Sequence, residues 1–405
     1  IIKTSKKYAI GIIKDIITAS PSRIKSDCPV SDKCGGCSFR NMTYDEELKY
    51  KRSRVVDAVE RIGHIQTEIT DVTAADTVYN YRNKAQFPVG LDREGELFAG
   101  FYAYKSHRII SCDDCKLQSK NFKPCLDAFA KWVEHSGVTS YDENSGRGIL
   151  RHIYLREACA TGEIMACAVI NALPDSDYLV EQLKAVRGVK SVCVNVNKKN
   201  SNVILGEKTK TIWGSDTITD ELLGKKFVIS PNSFYQVNRA QCEKLYSKAA
   251  EYASLNGSET VLDLYCGVGT IGITMADKAK QIIGVEIVPQ AIENAKINAK
   301  INNIENAEFL CGDAYFAADE LKRRHIKPDA IVLDPPRKGC QKELLGVINS
   351  MSPEKIVYVS CDSATLARDL AILDEYGYKA NQITPVDMFP RTPHVECVCL
   401  LTKKG

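Results

Sequence analysis

From residue 256 onward the chain repeats one pattern: a short apolar run, a turn, then helical periodicity. Apolar runs recur at 260–265, 281–286, 306–310, 329–333 and 355–360, with helical spacing at 270–279, 289–302, 314–324 and 341–350. Strands of buried composition alternating with helices argue for a parallel sheet covered on both faces, joined by right-handed crossovers. The pattern predicts an α/β, doubly wound domain whose ligand sits beyond the carboxyl ends of the strands. The chemistry is therefore sought where those runs stop.

The first run ends Asp263-Leu-Tyr265-Cys-Gly267-Val-Gly269-Thr-Ile-Gly272. Glycines let the backbone turn tightly and approach a ligand, and the helix start beyond them offers free N–H groups. Glu286 closes the next run 19 positions after Gly267, where a carboxylate grips ribose hydroxyls. NAD and S-adenosylmethionine both fit this geometry. The fourth run ends Asp334-Pro335-Pro336-Arg337, whose prolines make a rigid wall, and the fifth ends Ser360-Cys361-Asp362. Most lone cysteines are inert core residues. One at the carboxyl end of such a strand faces the crevice, and the following helix is expected to lower its thiol pKa. Near the carboxyl terminus, Phe389-Pro-Arg-Thr-Pro-His394-Val-Glu396 leads a carboxylate into an apolar strand. Such a group is paired, or raised in pKa as a base. On pattern alone, a surface charge at a strand start is the simpler reading.

Upstream, residues 1–20 read as two short strands, 44–62 as a helix ending near Gly63, and 70–230 as an α+β region. That region has strand-like stretches at 151–156 and 164–170 and helical patterns near 121–134 and 177–186. Between the strands and the helix lies Cys28-x5-Cys34-Gly-Gly-Cys37, to which Cys112 or Cys115 adds a fourth soft ligand. Four thiolates suit zinc or an iron–sulfur cluster, and the spacing departs from paired zinc knuckles, which tilts the reading toward a cluster. Lying outside the parallel sheet, this site reads as structural or RNA-contacting. Residues 1–27 carry six Lys and Arg against two Asp, a basic segment on a chain of net charge +3, compatible with phosphate contact or a solvated surface. The 405 residues suggest two or three domains, and no apolar run reaches the ~20 residues of a membrane span. Sixteen scattered cysteines and no leader point to a reducing, cytoplasmic setting. The chain opens Ile-Ile, without Met, inside a strand pattern, so an amino-terminal piece is expected to be missing.

Taken together, the cysteine set, Tyr81-Arg-Asn-Lys-Ala-Gln-Phe-Pro, Ser233-Phe-Tyr-Gln236-Val-Asn, the glycine loop, Asp334-Pro-Pro-Arg-Lys-Gly, Ser360-Cys361-Asp and His394-Val-Glu396 resemble the RNA uracil-5-methyltransferase family. The resemblance is nearest the iron–sulfur 23S ribosomal RNA branch; the tRNA branch lacks the cysteine cluster. It implies a Rossmann-like (class I) methyltransferase domain at 233–405 and a central α+β RNA-binding domain at 71–232. Ahead of these it implies the remnant of an OB-like TRAM domain at 1–20, a cluster segment at 21–40, and a helix within 41–70 packing on the methyltransferase domain. It implies a [4Fe-4S] cluster on Cys28, Cys34, Cys37 and Cys115, leaving Cys112 as a non-ligand. S-adenosylmethionine contacts are implied for Gln236, Tyr265, Gly267, Glu286, Asp313 and Asp334. Many members have Asn-Pro where this chain has Asp362-Ser363, which bears on the geometry beside the nucleophile.

The implied reaction is methylation of uridine C5 in 23S rRNA, giving 5-methyluridine. Cys361 adds to C6 as nucleophile and Glu396 removes the C5 proton as base. Tyr81, Arg82 and Phe87 are expected to contact an extruded base, although core packing accounts equally well for Phe87. RNA is the expected partner, with no membrane or DNA, and a monomer is expected. The alternatives are the same chemistry on tRNA and a non-catalytic RNA-binding iron–sulfur scaffold. A DNA cytosine-5 methyltransferase places its Pro-Cys nucleophile after the fourth strand, and an NAD oxidoreductase explains neither Cys361 nor the cysteine set.

Overall fold

The carboxyl-terminal runs form seven strands of one sheet: β1 (Thr260–Leu264), β2 (Gln281–Glu286), β3 (Ala307–Cys311), β4 (Ala330–Leu333), β5 (Lys355–Ser360), β6 (Tyr378–Val386) and β7 (Glu396–Lys403). The structure, a computed structural model, describes residues 1–6, 8–199 and 201–404. Strand order is 3-2-1-4-5-7-6, with the two-residue strand Glu68–Ile69 on the β6 edge. Strands β1 to β5 are parallel, whereas β7 runs antiparallel between β5 and β6. The order reverses between β1 and β4, which opens a crevice at the carboxyl ends of the strands.

Alternate residues of each strand feed two cores. Val261 and Val332 face one, Leu262, Leu264, Ile331 and Leu333 the other. This two-sided burial explains the continuous apolar runs, each large side chain contributing about 1.5–3 kcal/mol. The helices Thr270–Met275, Pro289–Ile301, Ala314–Arg323 and Lys342–Met351 fill the connections close to the four expected spans, and Ser363–Glu375 fills the connection after β5.

The central region is a seven-stranded sheet in the order Lys208–Gly214, Val189–Val196, Glu163–Ile170, Leu150–Ala158, Lys84–Leu91, Leu97–Tyr102, Ile109–Ser111. Helices Phe122–Ser136 and Asp177–Lys184 cover one face around Phe87, Phe129 and Trp132. The other face, with Tyr154, Met165 and Cys167, shares its core with Tyr235, Cys242 and β1 of the carboxyl-terminal sheet. Phe87 is 1% exposed and packs 5.1 Å from Phe101 between ring centroids. The expected base contact is thus withdrawn for Phe87, whose ring belongs to the core.

At the amino terminus Lys3–Thr4 pairs with Ala9–Ile10. Of the two strands expected within residues 1–20, one over 8–13 and one at Ile16-Ile17, the second is not formed; Ile16 and Ile17 are exposed and irregular. The helix expected at 44–62 spans Tyr44–Ala58 and continues as a π-turn over Val59–Gly63. Asp45, Glu46 and Glu47 in its first turn suit the positive end of the helix dipole. Its buried stripe, Glu47, Lys51, Val55 and Ala58, has helical spacing, and Val55 and Ala58 join the core that holds Leu366 and Leu370 of Ser363–Glu375. Two charged residues on that stripe have consequences at the site.

Candidate active site

A cavity of about 800 Å³ opens at the carboxyl ends of β1, β2, β4 and β5. Gln236, Tyr265, Gly267, Glu286, Asp313, Asp334, Cys361 and Glu396 all line it, so the eight residues singled out in sequence meet in one place. Sequence reasoning passed over Phe234, Lys338 and the role of Arg337, which line it as well.

The β1 turn holds Tyr265 and Gly267 in left-handed conformations, φ 64° and 56°. Such a φ is uncommon for tyrosine and marks a tightly constrained strand end. A Cβ on Gly272 would come within 2.7 Å of Ile282 and 3.0 Å of the Asp263 carboxylate, so glycine lets the helix approach the sheet. Asp263 accepts the Gly272 N–H at 2.9 Å and is pushed up to about 7 by burial. Glu286 receives N–H bonds from Val288 (3.0 Å) and Gly267 (3.3 Å), which orient its carboxylate at the end of β2. Asp313 caps the helix Ala314–Arg323 through Phe316 N–H at 2.9 Å.

The register of β5 against β7 pairs Ser360 with Cys397. The next step on each strand brings Cys361 and Glu396 side by side. Glu396 is 4% exposed, so the surface-charge reading of its sequence pattern does not hold. Its carboxylate makes no hydrogen bond or ion pair with any described residue, and neither does that of Asp334. Burial, and then Asp334, push Glu396 up to about 8, with Arg337 opposing. Burial likewise pushes Asp334 up to about 7.

The thiol of Cys361 corrects one expectation. It is pushed up to about 11, by burial first and then by Glu396 and Asp334, with Arg337 opposing. Desolvation and two neighbouring carboxylates outweigh the dipole of the following helix. A cation between these groups would bring all three back down. The sulfonium of S-adenosylmethionine is such a cation, and the cavity has the size of a small-ligand site. Asp362, at the position of the sequence departure, caps the helix Ser363–Glu375 by accepting N–H bonds from Ala364 and Thr365, each 3.0 Å. Aspartate and asparagine cap helices equally well, so the substitution leaves the backbone beside Cys361 supported.

Cys28, Cys34, Cys37, Cys112 and Cys115 line a second cavity of about 190 Å³ with Arg40 and Arg82. Cys112, expected as a non-ligand, stands with the other four. Among the described residues, no group of three or more His, Cys, Asp or Glu side chains is arranged to hold a metal ion. The segment is bonded directly to the loop before Glu396: Ser38 and Phe39 donate N–H bonds to Arg391 O at 3.0 and 3.2 Å. Tyr81 is buried, its hydroxyl donating to Pro390 O at 2.9 Å, and the Arg82 guanidinium lies 5.8 Å from the Phe389 ring centroid.

Strand order, glycine loop and a cavity carrying two free carboxylates beside a strand-end thiol define a Rossmann-like methyltransferase. The chain belongs to the tRNA (uracil-5-)-methyltransferase family, which it matches over residues 43–404. It is 46% identical to an uncharacterized RNA methyltransferase of Clostridium tetani, over 100% of this chain and 88% of that protein. It is also 46% identical to one of Halalkalibacterium halodurans, over 100% and 89%. Its fold is similar to that of the Pyrococcus abyssi tRNA (uracil-54, C5)-methyltransferase crystallised with S-adenosyl-L-homocysteine. That likeness has a TM-score of 0.76 and 29% identity, over 96% of this chain and 88% of the other. The chain is an RNA methyltransferase.

Proposed function

We propose that the protein methylates C5 of a uridine in 23S ribosomal RNA through a transient bond between Cys361 and C6 of the base. The observation that carries this reading is the pairing of Cys361 with the unpartnered, buried Glu396 at adjacent strand ends. C5 of uracil is a weak nucleophile. Addition of the Cys361 thiolate to C6 turns the ring into an enolate whose C5 can attack a methyl group, dividing one hard step into easier ones. S-adenosylmethionine supplies that methyl group as an electrophile. Glu396 then takes the C5 proton, the C5–C6 double bond re-forms, and the thiolate leaves. Gln236, Tyr265, Gly267, Glu286, Asp313 and Asp334 are the residues to hold the donor, Asp334 facing its positive charge.

A base with a pKa near 8 yields a definite pH dependence. Product release in a single turnover should rise about tenfold per pH unit below that value and level off above it. For Glu396→Gln we expect a methylated covalent complex to accumulate on denaturing gels. Normal release by that variant would assign the proton to another base.

The choice of 23S rRNA rests on the cysteine segment. A tRNA substrate is the second reading, favoured by the family description and by the substrate of the Pyrococcus abyssi enzyme. Mapping 5-methyluridine in both RNA classes from a deletion strain decides between them: loss from 23S rRNA supports the first reading, loss from tRNA alone the second.

For the cysteine cavity we propose a [4Fe-4S] cluster on Cys28, Cys34, Cys37 and Cys115. The five cysteines lining one cavity of about 190 Å³ support this reading, four thiolates being the ligand set of such a cluster. Anaerobic purification should yield a brown protein with about four iron and four sulfide per chain. Stoichiometric zinc would overturn this assignment. Among the described residues no helix is long and apolar enough to cross a membrane, and we propose a cytoplasmic location.

A further inference from the structure

Strands Lys84–Leu91 and Leu150–Ala158 pair so that Lys84 stands directly opposite Arg156. Side chains opposite one another on antiparallel strands share a face, and like charges there are unfavourable. Neither forms an ion pair with a described carboxylate. Arg156 is 1% exposed; its Nη1 donates to Ser230 O (3.0 Å) and Ser233 O (2.9 Å), while its Nε and Nη2 are buried without partners. Arg82, two residues before Lys84, also has a buried Nε without a partner. The ammonium of Lys84 is pulled down to about 8, by burial first and then by the charges of Arg156 and Arg82.

This concentration of positive charge does not pay its own way in stability, since unneutralised buried cations cost free energy. It lies beside the active-site cavity. Arg156 grips the loop before Phe234 and Gln236, and Asn83 Nδ2 donates to Gln236 O at 3.0 Å. Arg82 lies against Phe389, another cavity residue. Phe234 is 66% exposed at that edge.

We propose that Lys84 is a subsite for one backbone phosphate of the RNA whose base enters the cavity, with Arg82 and Arg156 supplying the field that holds it. The proposal rests on the RNA reading above. Lys84 makes the contact because its ammonium is the only one of the three without a hydrogen bond, ion pair or ring contact to a described residue.

The test compares Lys84→Gln and Lys84→Arg with the wild type for binding to unmodified 23S rRNA and tRNA transcripts between 50 and 200 mM salt. Lys84→Gln is expected to weaken binding about tenfold at low salt and to flatten the log K against log salt slope by about 0.7, the loss of one phosphate contact to a single strand. Lys84→Arg should keep the slope. S-adenosylhomocysteine affinity should be unchanged and the thermal midpoint equal or higher, because a repulsion is removed. An unchanged slope in Lys84→Gln overturns the proposal. So does a selective loss of S-adenosylhomocysteine affinity, which would make the donor's carboxylate the anion, or a lowered midpoint, which would make Lys84 structural. Failure of the RNA reading is seen separately, as wild-type protein that neither binds nor methylates either transcript.

Discussion

Replacing Cys361 by alanine is expected to lower methyl transfer by about a million-fold, the scale seen when a covalent nucleophile is removed. The loss should be specific. Cys361 is half-buried and makes no side-chain bond that the fold depends on, so the thermal midpoint should stay within a degree or so of wild type. The decisive measurement is trapping with 5-fluorouridine RNA. The wild type should give a complex that survives denaturation, because fluorine at C5 cannot leave as a proton, and Cys361→Ala should give none. A trapped complex in the alanine variant would remove residue 361 from the mechanism. The high thiol pKa adds a further expectation. With the thiol raised toward about 11, free protein should alkylate slowly at Cys361 near neutral pH. Above about pH 8, where Glu396 carries its charge, Glu396→Gln should speed that alkylation.

The second large effect is predicted far from the reacting atoms. Lys51 is fully buried on the helix Tyr44–Ala58, with its ammonium 2.7 Å from Glu47 Oε1, 2.5 Å from Asp387 Oδ1 and 3.2 Å from Phe389 O. Glu47 Oε1 also accepts the Arg391 N–H at 2.7 Å, and Tyr44 donates to Asp387 Oδ2 at 2.7 Å. This network pins residues 387–391, the approach to Glu396, to the helix that follows the cysteine segment. Lys51→Met should cost about 3–5 kcal/mol in chemical denaturation, because it leaves Asp387 buried without a cation and Glu47 with only the longer pair to Arg391 at 3.5 Å. The combination Lys51→Met, Asp387→Asn should recover much of that loss, since Glu47 then keeps its ion pair with Arg391 at 3.5 Å and no charge of the network is left without a partner. A Lys51→Met protein within about 0.5 kcal/mol of wild type, the range of an ordinary surface substitution, would show that the network contributes little. So would a double variant no better than the single one.

The contrast between these two sites marks how far the sequence could be read. Cys361 was legible because its signal is local: a buried strand of known period stops, and the residue at its end must face the crevice. The same holds for Gly267, Glu286 and Asp334, each at the end of a run visible in a short window of sequence. Glu396 was legible only through the family resemblance, because its own surroundings equally describe an exposed charge. Glu47 and Lys51 gave no signal. In a helix rich in Asp, Glu, Lys and Arg, an acid and a base four residues apart read as a solvated pair.

What the amino-acid sequence determined alone is the parallel sheet, the glycine turn and the set of strand ends where chemistry gathers, since hydrophobic period and turn residues act over a few positions. What only the tertiary structure decided is the environment of those ends. The antiparallel insertion of β7 between β5 and β6 sets Glu396 beside Cys361, and residues 387–391 cover Lys51 and Glu47. The sign of the Cys361 shift was misjudged for the same reason. A helix start can be seen in sequence, whereas desolvation and the fields of Asp334 and Glu396 are sums over groups that meet only when the chain has folded.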